Sequence, residues 1–278
     1  MKIYISSDME GCTGVVSAAQ ADPGGQEYSF GRAMQLHDLD AAVKGAFDGG
    51  AERVIVNDAH GSMTNVDISR LGRGVHLVSG SPKLLGMVEE VGGCGGAVFL
   101  GYHAMAGTEK AVLDHSYDKQ TIYSLSVNGR KMGEAGFNAL LAGVQDVPVI
   151  AVSGDCALCI EAGSLLGENV ETIPVKEGLA HAAALCLPPE ESCEKIYAGV
   201  KRAAEKLKAG EFSPFTMEAP YVLDVGLANT MQADAASLVP GAVRIAPRAL
   251  RFETEDALEL RRVLYSVIAS ASAQKGAF

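Results

Sequence analysis

The stretch RVIVNDAHG, residues 53–61, decides the fold. Val54-Ile55-Val56 is nearly continuous apolar chain, the composition of a strand covered on both faces. It then stops in polar residues and a glycine-flanked His60. Other runs have the same form. Ile3-Tyr4-Ile5 leads into Asp8 and Glu10, Val98-Phe99-Leu100 leads through Gly101-Tyr102 into His103, and Val147 to Ser153 is a further strand. Helical stretches lie between them. Residues 27–48 read as a helix ended by Gly49-Gly50, and Ser81-Pro82 opens a second through about Val91, with proline in its tolerated first turn. Strand and helix alternate, so the expected fold is α/β, a mostly parallel sheet flanked by helices.

One piece breaks the alternation. Tyr123 to Val127 alternates in polarity, Asn128-Gly129 is a strong hairpin signal, and Arg130-Lys131-Met132 returns. A helix from Glu134 to Ala142 follows. Beyond Asp155 the reading gives helices at 156–166 and 177–186, then Pro188-Pro189. A charged helix spans 190–209, strands span 221–226 and 243–246, and a last helix spans 255–271. The expected division is a metal-binding α/β core at 1–187, with a hairpin-containing insertion at about 112–134 contributing to its site. A smaller α+β part at 188–278 completes it.

A chain of 278 residues with 48% hydrophobic residues supports a sizeable core. The net charge of −11 argues against nucleic acid, whose phosphates need a basic surface. No run approaches a membrane span, and MKIYISSDMEG lacks the form of a signal peptide. The expected location is the cytoplasm, where six cysteines serve as free or buried thiols. Cys156 and Cys159 form a lone C-x-x-C inside a helix, and packing is the preferred reading over redox or zinc.

In open α/β sheets ligands gather outside the carboxyl ends of the strands. Asp8, Glu10, His60 and His103 all sit there, and Glu134 opens the helix after the hairpin. Asp8 and Glu10, two apart, share a side in extended chain, and paired carboxylates repel unless a cation lies between them. Singly, each residue has a bland reading: an acidic loop or helix cap for Asp8 and Glu10, a hydrogen-bonded structural histidine, a dipole-compensating Glu134. Together they make an N/O donor set suited to Zn²⁺. Two ions need more contacts than five monodentate side chains supply, so one carboxylate must bridge. His115, in LDHSY, follows no apolar strand and suits proton transfer better than ligation. His37, His76 and His181 read as structural.

There is no G-x-S-x-G, H-E-x-x-H, G-x-G-x-x-G after a strand, or P-loop. The chemistry therefore falls on the metal site, and three readings stand. A metal-activated hydroxide serves a peptidase. The same ligands serve another binuclear amidohydrolase or a phosphoesterase, the latter weakened by the scarcity of Arg and Lys near the motifs. Or the metal stabilises a non-catalytic assembly protein.

The motifs YISSDMEGCTGV, VNDAHGSM, FLGYHAMAG, LDHSY and MGEAGFNALLAG, in this order and spacing, resemble the zinc-dependent D-aminopeptidase family, the DppA-type binuclear zinc peptidases. VPVIAVSGD and VGLANTMQAD continue the resemblance more weakly, and it fades after about residue 185. It implies two zinc ions per chain held by Asp8, Glu10, His60, His103 and Glu134, with Asp8 bridging and His115 catalytic. It also implies removal of N-terminal D-residues from short peptides by attack of a metal-bridging hydroxide. A ring-like homo-oligomer, a decamer in size, with active sites facing an inner chamber is implied as well.

Overall fold

The computed structural model describes residues 1–274. In chain order its elements are β1 (Lys2–Ser7), α1 (Ala18–Ala21), α2 (Tyr28–Asp48), β2 (Arg53–Asp58), β3 (Val75–Val78), β4 (Gly96–Leu100), β5 (Ile122–Val127) and β6 (Arg130–Lys131). Then come α3 (Glu134–Gly143), β7 (Val149–Asp155), α4 (Cys156–Leu166), β8 (Glu171–Ala180), β9 (Ala183–Cys186) and α5 (Pro189–Lys208). The last are β10 (Tyr221–Leu227), α6 (Thr230–Ala236), β11 (Val243–Ala246), β12 (Ala249–Thr254) and α7 (Ala257–Ser272). The fold is α/β, with a mainly parallel sheet between helices and a smaller α+β part, as the sequence indicates.

The larger sheet has the order β3-β2-β1-β4-β7-β8-β9, and only β9 runs antiparallel. Its strands are buried on both faces for the reason their composition gives. Ile3 and Ile5 of β1 enter one core with Val54, Val56, Leu39 of α2 and Ile196 and Val200 of α5. Tyr4, between them, enters the other with Phe99, Val152 and Phe137 of α3. From β1 the chain moves outward to β2 and β3, then returns to the opposite side of β1 as β4. That reversal makes the β1–β4 boundary a topological switch point, where crevices open. The register levels the strand ends, because Ser7 pairs with Asp58 on one side and Leu100 on the other.

The smaller sheet, β11-β12-β10-β5-β6, is antiparallel. Asn128 (φ 50°) and Gly129 (φ 76°) both take positive φ at the β5–β6 turn, the backbone of a type I′ hairpin. Leu223, Val225, Leu250 and Phe252 of this sheet pack with Leu260 and Leu264 of α7. No helix among the described residues is long and apolar enough to cross a membrane.

Three expectations need correction. The helix from Ser81-Pro82 to Val91 does not form; a single 3₁₀ turn, Gly86–Val88, stands in its place. Gly86 (φ 59°) and Glu90 (φ 64°) are left-handed, and the carbonyls a helix would use internally are taken by the sheet. Tyr4 Oη donates to the Glu89 carbonyl, Ser6 Oγ to that of Met87, and Asn57 Nδ2 to that of Gly86. The helix at 177–186 is instead the β8–β9 hairpin, where edge pairing with β7 overrides the helix preference of an Ala- and Leu-rich run. Finally, Pro188-Pro189 does not divide the packing. α5, beyond it, lies on the larger sheet beside α2, while the earlier hairpin β5–β6 completes the smaller sheet through β10. α1, β3, α6 and β12 lie outside the elements expected from the sequence.

Candidate metal centre

Level strand ends bring the polar residues of three loops together. Asp8 N–H donates to the Leu100 carbonyl and Gly11 N–H to that of Gly101, both at 2.8 Å, so the loop after β1 lies on the loop after β4. The approach is close enough that a Cβ on Gly11 would overlap the Tyr102 carbonyl. Glu134 reaches the same place from the first turn of α3, a helix buried along its whole length. The result is one buried cluster. Asp8, Glu10, His60, His103 and Glu134 are all buried.

The distances resolve this cluster into two halves that share Asp8. On one side His60 Nδ1 lies 3.2 Å from Asp8 Oδ1 and 2.9 Å from Glu10 Oε2. On the other, His103 Nε2 lies 3.8 Å from Asp8 Oδ2 and 3.2 Å from Glu134 Oε1. Ligand atoms of Asp8, Glu10 and His103 also fall within 4.8 Å of one another, as do those of His103, His115 and Glu134. Each of the three histidines has one ring nitrogen on a backbone carbonyl: His60 Nε2 on Ala21 (2.6 Å), His103 Nδ1 on Ala104 (3.0 Å), His115 Nδ1 on Leu113 (2.8 Å). Donation there leaves each neutral ring with its lone pair facing carboxylates, the usual arrangement of metal-ligating imidazole.

Without a cation this arrangement is electrostatically poor. Burial, and after it the Glu10 carboxylate, push Asp8 up to about 7. Burial opposes the charge of His103, yet Glu134, Glu10 and Asp8 together outweigh it and hold the imidazole up to about 10. Burial likewise opposes ionised Glu10, and His60 holds it well below the carboxylate range. The three carboxylates thus call for positive charge at the cluster. Glu10 Oε2 and His103 Nε2 are buried with no hydrogen-bond partner, although each has an oppositely charged neighbour. Three carboxylates, two imidazoles and orphaned donor atoms fit divalent zinc.

His115 completes the site from a different direction. It lies in a loop bracketed by two left-handed residues, Leu113 (φ 53°) and Tyr117 (φ 60°), a strain typical of functional loops. Its ring stacks on His103 with centroids 3.9 Å apart, and its Nε2 is 3.7 Å from Glu134 Oε1. Burial, then the neighbouring His103, lower its pKa, favouring neutral imidazole. Tyr117 N–H donates to Glu134 Oε1 at 2.6 Å. A cleft of about 350 Å³ opens onto Asp8, Glu10, His60, His115 and Glu134, with Lys119 and Arg261 in its walls.

Comparison with known proteins shows the family. Residues 1–266 match the family described as D-aminopeptidase. The chain belongs to the D-aminopeptidase family. A D-aminopeptidase of Bacillus subtilis (strain 168) is 35% identical over 263 residues, covering 93% of each chain. A solved structure described as the Zn-dependent D-aminopeptidase DppA from Bacillus subtilis, a self-compartmentalizing protease, superposes with a TM-score of 0.94 at 33% identity, covering 100% of both chains.

Of the three histidines outside the cluster in this D-aminopeptidase family member, two have a carboxylate partner and His76 lies exposed on β3. His37 Nδ1 pairs with Asp38, and His181 Nδ1 with Asp114. Cys156 and Cys159 are unpaired in α4, and burial pushes the Cys159 thiol up to about 12, so it packs as a neutral group. Sequence reasoning missed Lys176, on β8. It is 2% exposed, and its Nζ donates to the carbonyls of Glu10 (2.6 Å), Cys12 (2.9 Å) and Val15. Lys176 therefore clamps the loop that carries Asp8 and Glu10. Its only sequence signal is a charge inside the apolar stretch IPVKEGLA. Lys176→Met is expected to strand three buried acceptors, each costing about 1–3 kcal/mol. The expected outcome is a lower Tm and faster zinc loss to a chelator. Unchanged melting and unchanged zinc retention would remove the clamp.

Proposed function

We propose that this chain is a zinc-dependent aminopeptidase that releases N-terminal D-residues from short peptides. Asp8, Glu10, His60, His103 and Glu134 would hold two zinc ions, with Asp8 shared, and His115 would move the proton. The observation that carries this reading is the division of the cluster about Asp8, one carboxylate oxygen toward His60 and the other toward His103. Zinc held by these residues would supply Lewis-acid polarisation of a carbonyl and a lowered pKa for bound water.

The chain's own residues supply the rest. Tyr117 N–H fixes the Glu134 carboxylate toward His103. The Leu113 carbonyl holds the His115 proton on Nδ1, so the Nε2 lone pair faces the cleft; it can take a proton from the attacking water and, once protonated, steady the oxyanion or pass that proton to the departing amine. The phosphoesterase alternative lacks support from Lys119, whose Nζ makes two 2.8 Å contacts to Asp22.

The working form we propose is a ring-like homo-oligomer, a decamer in size, in the cytoplasm. The relative described as self-compartmentalizing supports enclosure, and unpaired cysteines support a reducing compartment. The apolar stripes of α5 and α7 do not carry assembly, because Ile196, Val200, Leu260 and Leu264 are spent inside the chain. Exposed Leu238, Val243 and Ile245 remain for contacts between copies. The test is a panel of D- and L-aminoacyl amides with light scattering during size-exclusion chromatography. Turnover of D-substrates by a species far larger than a dimer, with casein untouched, is expected. A monomer at micromolar concentration, or rapid casein cleavage, would contradict it.

A further inference from the structure

One charged group in the cleft is not used by the hydrolytic chemistry. Arg261, on α7, lines the same cleft as the carboxylate cluster. It is 5% exposed, and its Nε and Nη1 have no hydrogen-bond partner. Its Cζ lies 5.8 Å from the ring centroid of Tyr117 and 5.4 Å from that of Tyr265. Ring faces offset part of a cation's charge but give its N–H groups no acceptor. A guanidinium stays charged at any working pH, and burying it without an anionic partner is strongly unfavourable. The backbone also leaves room for it: Gly86 is left-handed at φ 59°, and a Cβ there would overlap Arg261 Nη2.

We propose that Arg261 receives the C-terminal carboxylate of the peptide substrate and so makes the enzyme favour short peptides with a free C-terminus over their amides. This inference rests on the aminopeptidase reading above. Guanidinium is the side chain best matched to a carboxylate, through paired N–H donors in one plane. Tyr117 sets the spacing, since its N–H holds Glu134 while its ring lies against Arg261. The anion site is thus about one tyrosine side chain from the cluster. One or two extended residues beyond the scissile bond, at roughly 3.5 Å each, cover that span. The cleft is then acidic where the peptide amine enters and cationic where its carboxylate ends, complementary to a short zwitterion.

The test compares kcat/KM of the zinc-loaded enzyme for D-alanylglycine and D-alanylglycylglycine with that for their C-terminal amides. In the wild type, at least one free acid should exceed its amide by about 10- to 100-fold, the range of a hydrogen-bonded charged group. Arg261→Met should collapse that ratio to less than about threefold, and Arg261→Lys should keep part of it. Equal rates for acid and amide in the wild type overturn the proposal without any variant. An equal fall for both in Arg261→Met also overturns it, assigning Arg261 a structural role. If Arg261→Met does not fold, the wild-type ratio and Arg261→Lys still decide. Failure of the wild type to cleave any of the four peptides would instead refute the aminopeptidase reading.

Discussion

His115→Ala is expected to keep its fold and its zinc while kcat falls by on the order of 10²-fold or more, the range for loss of a general acid–base or oxyanion donor. The ring is fixed on two sides, by the Leu113 carbonyl at Nδ1 and by its stack on His103. Its Nε2 faces the cleft beside Glu134. Burial and the nearby His103 lower its pKa, so the group is neutral and able to exchange a proton at working pH. The side chain comes from a loop whose backbone is held independently, through Tyr117 N–H on Glu134 and Tyr117 Oη on Asn138. Removing the imidazole should therefore leave the loop in place. Elemental analysis and steady-state rates on the same preparation separate the outcomes. Loss of one zinc would make His115 a ligand, and unchanged kcat would make it a bystander.

The positions of these residues were readable because fully buried parallel strands advertise themselves as short apolar runs, and their polar ends mark the ligand edge. Asp8, His60 and His103 follow such runs directly. Glu134 was harder, being an ordinary first-turn carboxylate until the fold sets it against His103. What could not be read is what the sheet imposes on weakly patterned chain. The β8–β9 hairpin is rich in Ala and Leu, and its strand state comes from pairing with β7. Residues 82–91 lose their helix because side chains of β1 and β2 take the carbonyls. Lys176 and Arg261 were invisible for a related reason. Nothing in LRRVLY distinguishes buried Arg261 from its neighbour Arg262, and a lone lysine in a strand does not show which loop it ties down.

The second large effect concerns Asp8. Among the described residues it is the one carboxylate in contact with both His60 and His103, so Asp8→Ala is expected to drop zinc below one ion per chain and activity by about 10³-fold or more, as loss of the metal-activated nucleophile requires. The metal-free variant should melt no lower than metal-free wild type, because burial and Glu10 already disfavour the Asp8 charge and its removal relieves that repulsion. A variant that keeps full zinc and full activity would show that Asp8 is not shared.

The most direct measurement is a zinc titration of stripped wild-type protein, with bound metal counted by elemental analysis and D-aminoacyl amide hydrolysis followed at each step. The ligand geometry predicts saturation at two zinc ions per chain, with activity rising as they bind. Full activity in metal-free protein, or saturation at one ion, would contradict a shared Asp8 and the binuclear centre built around it.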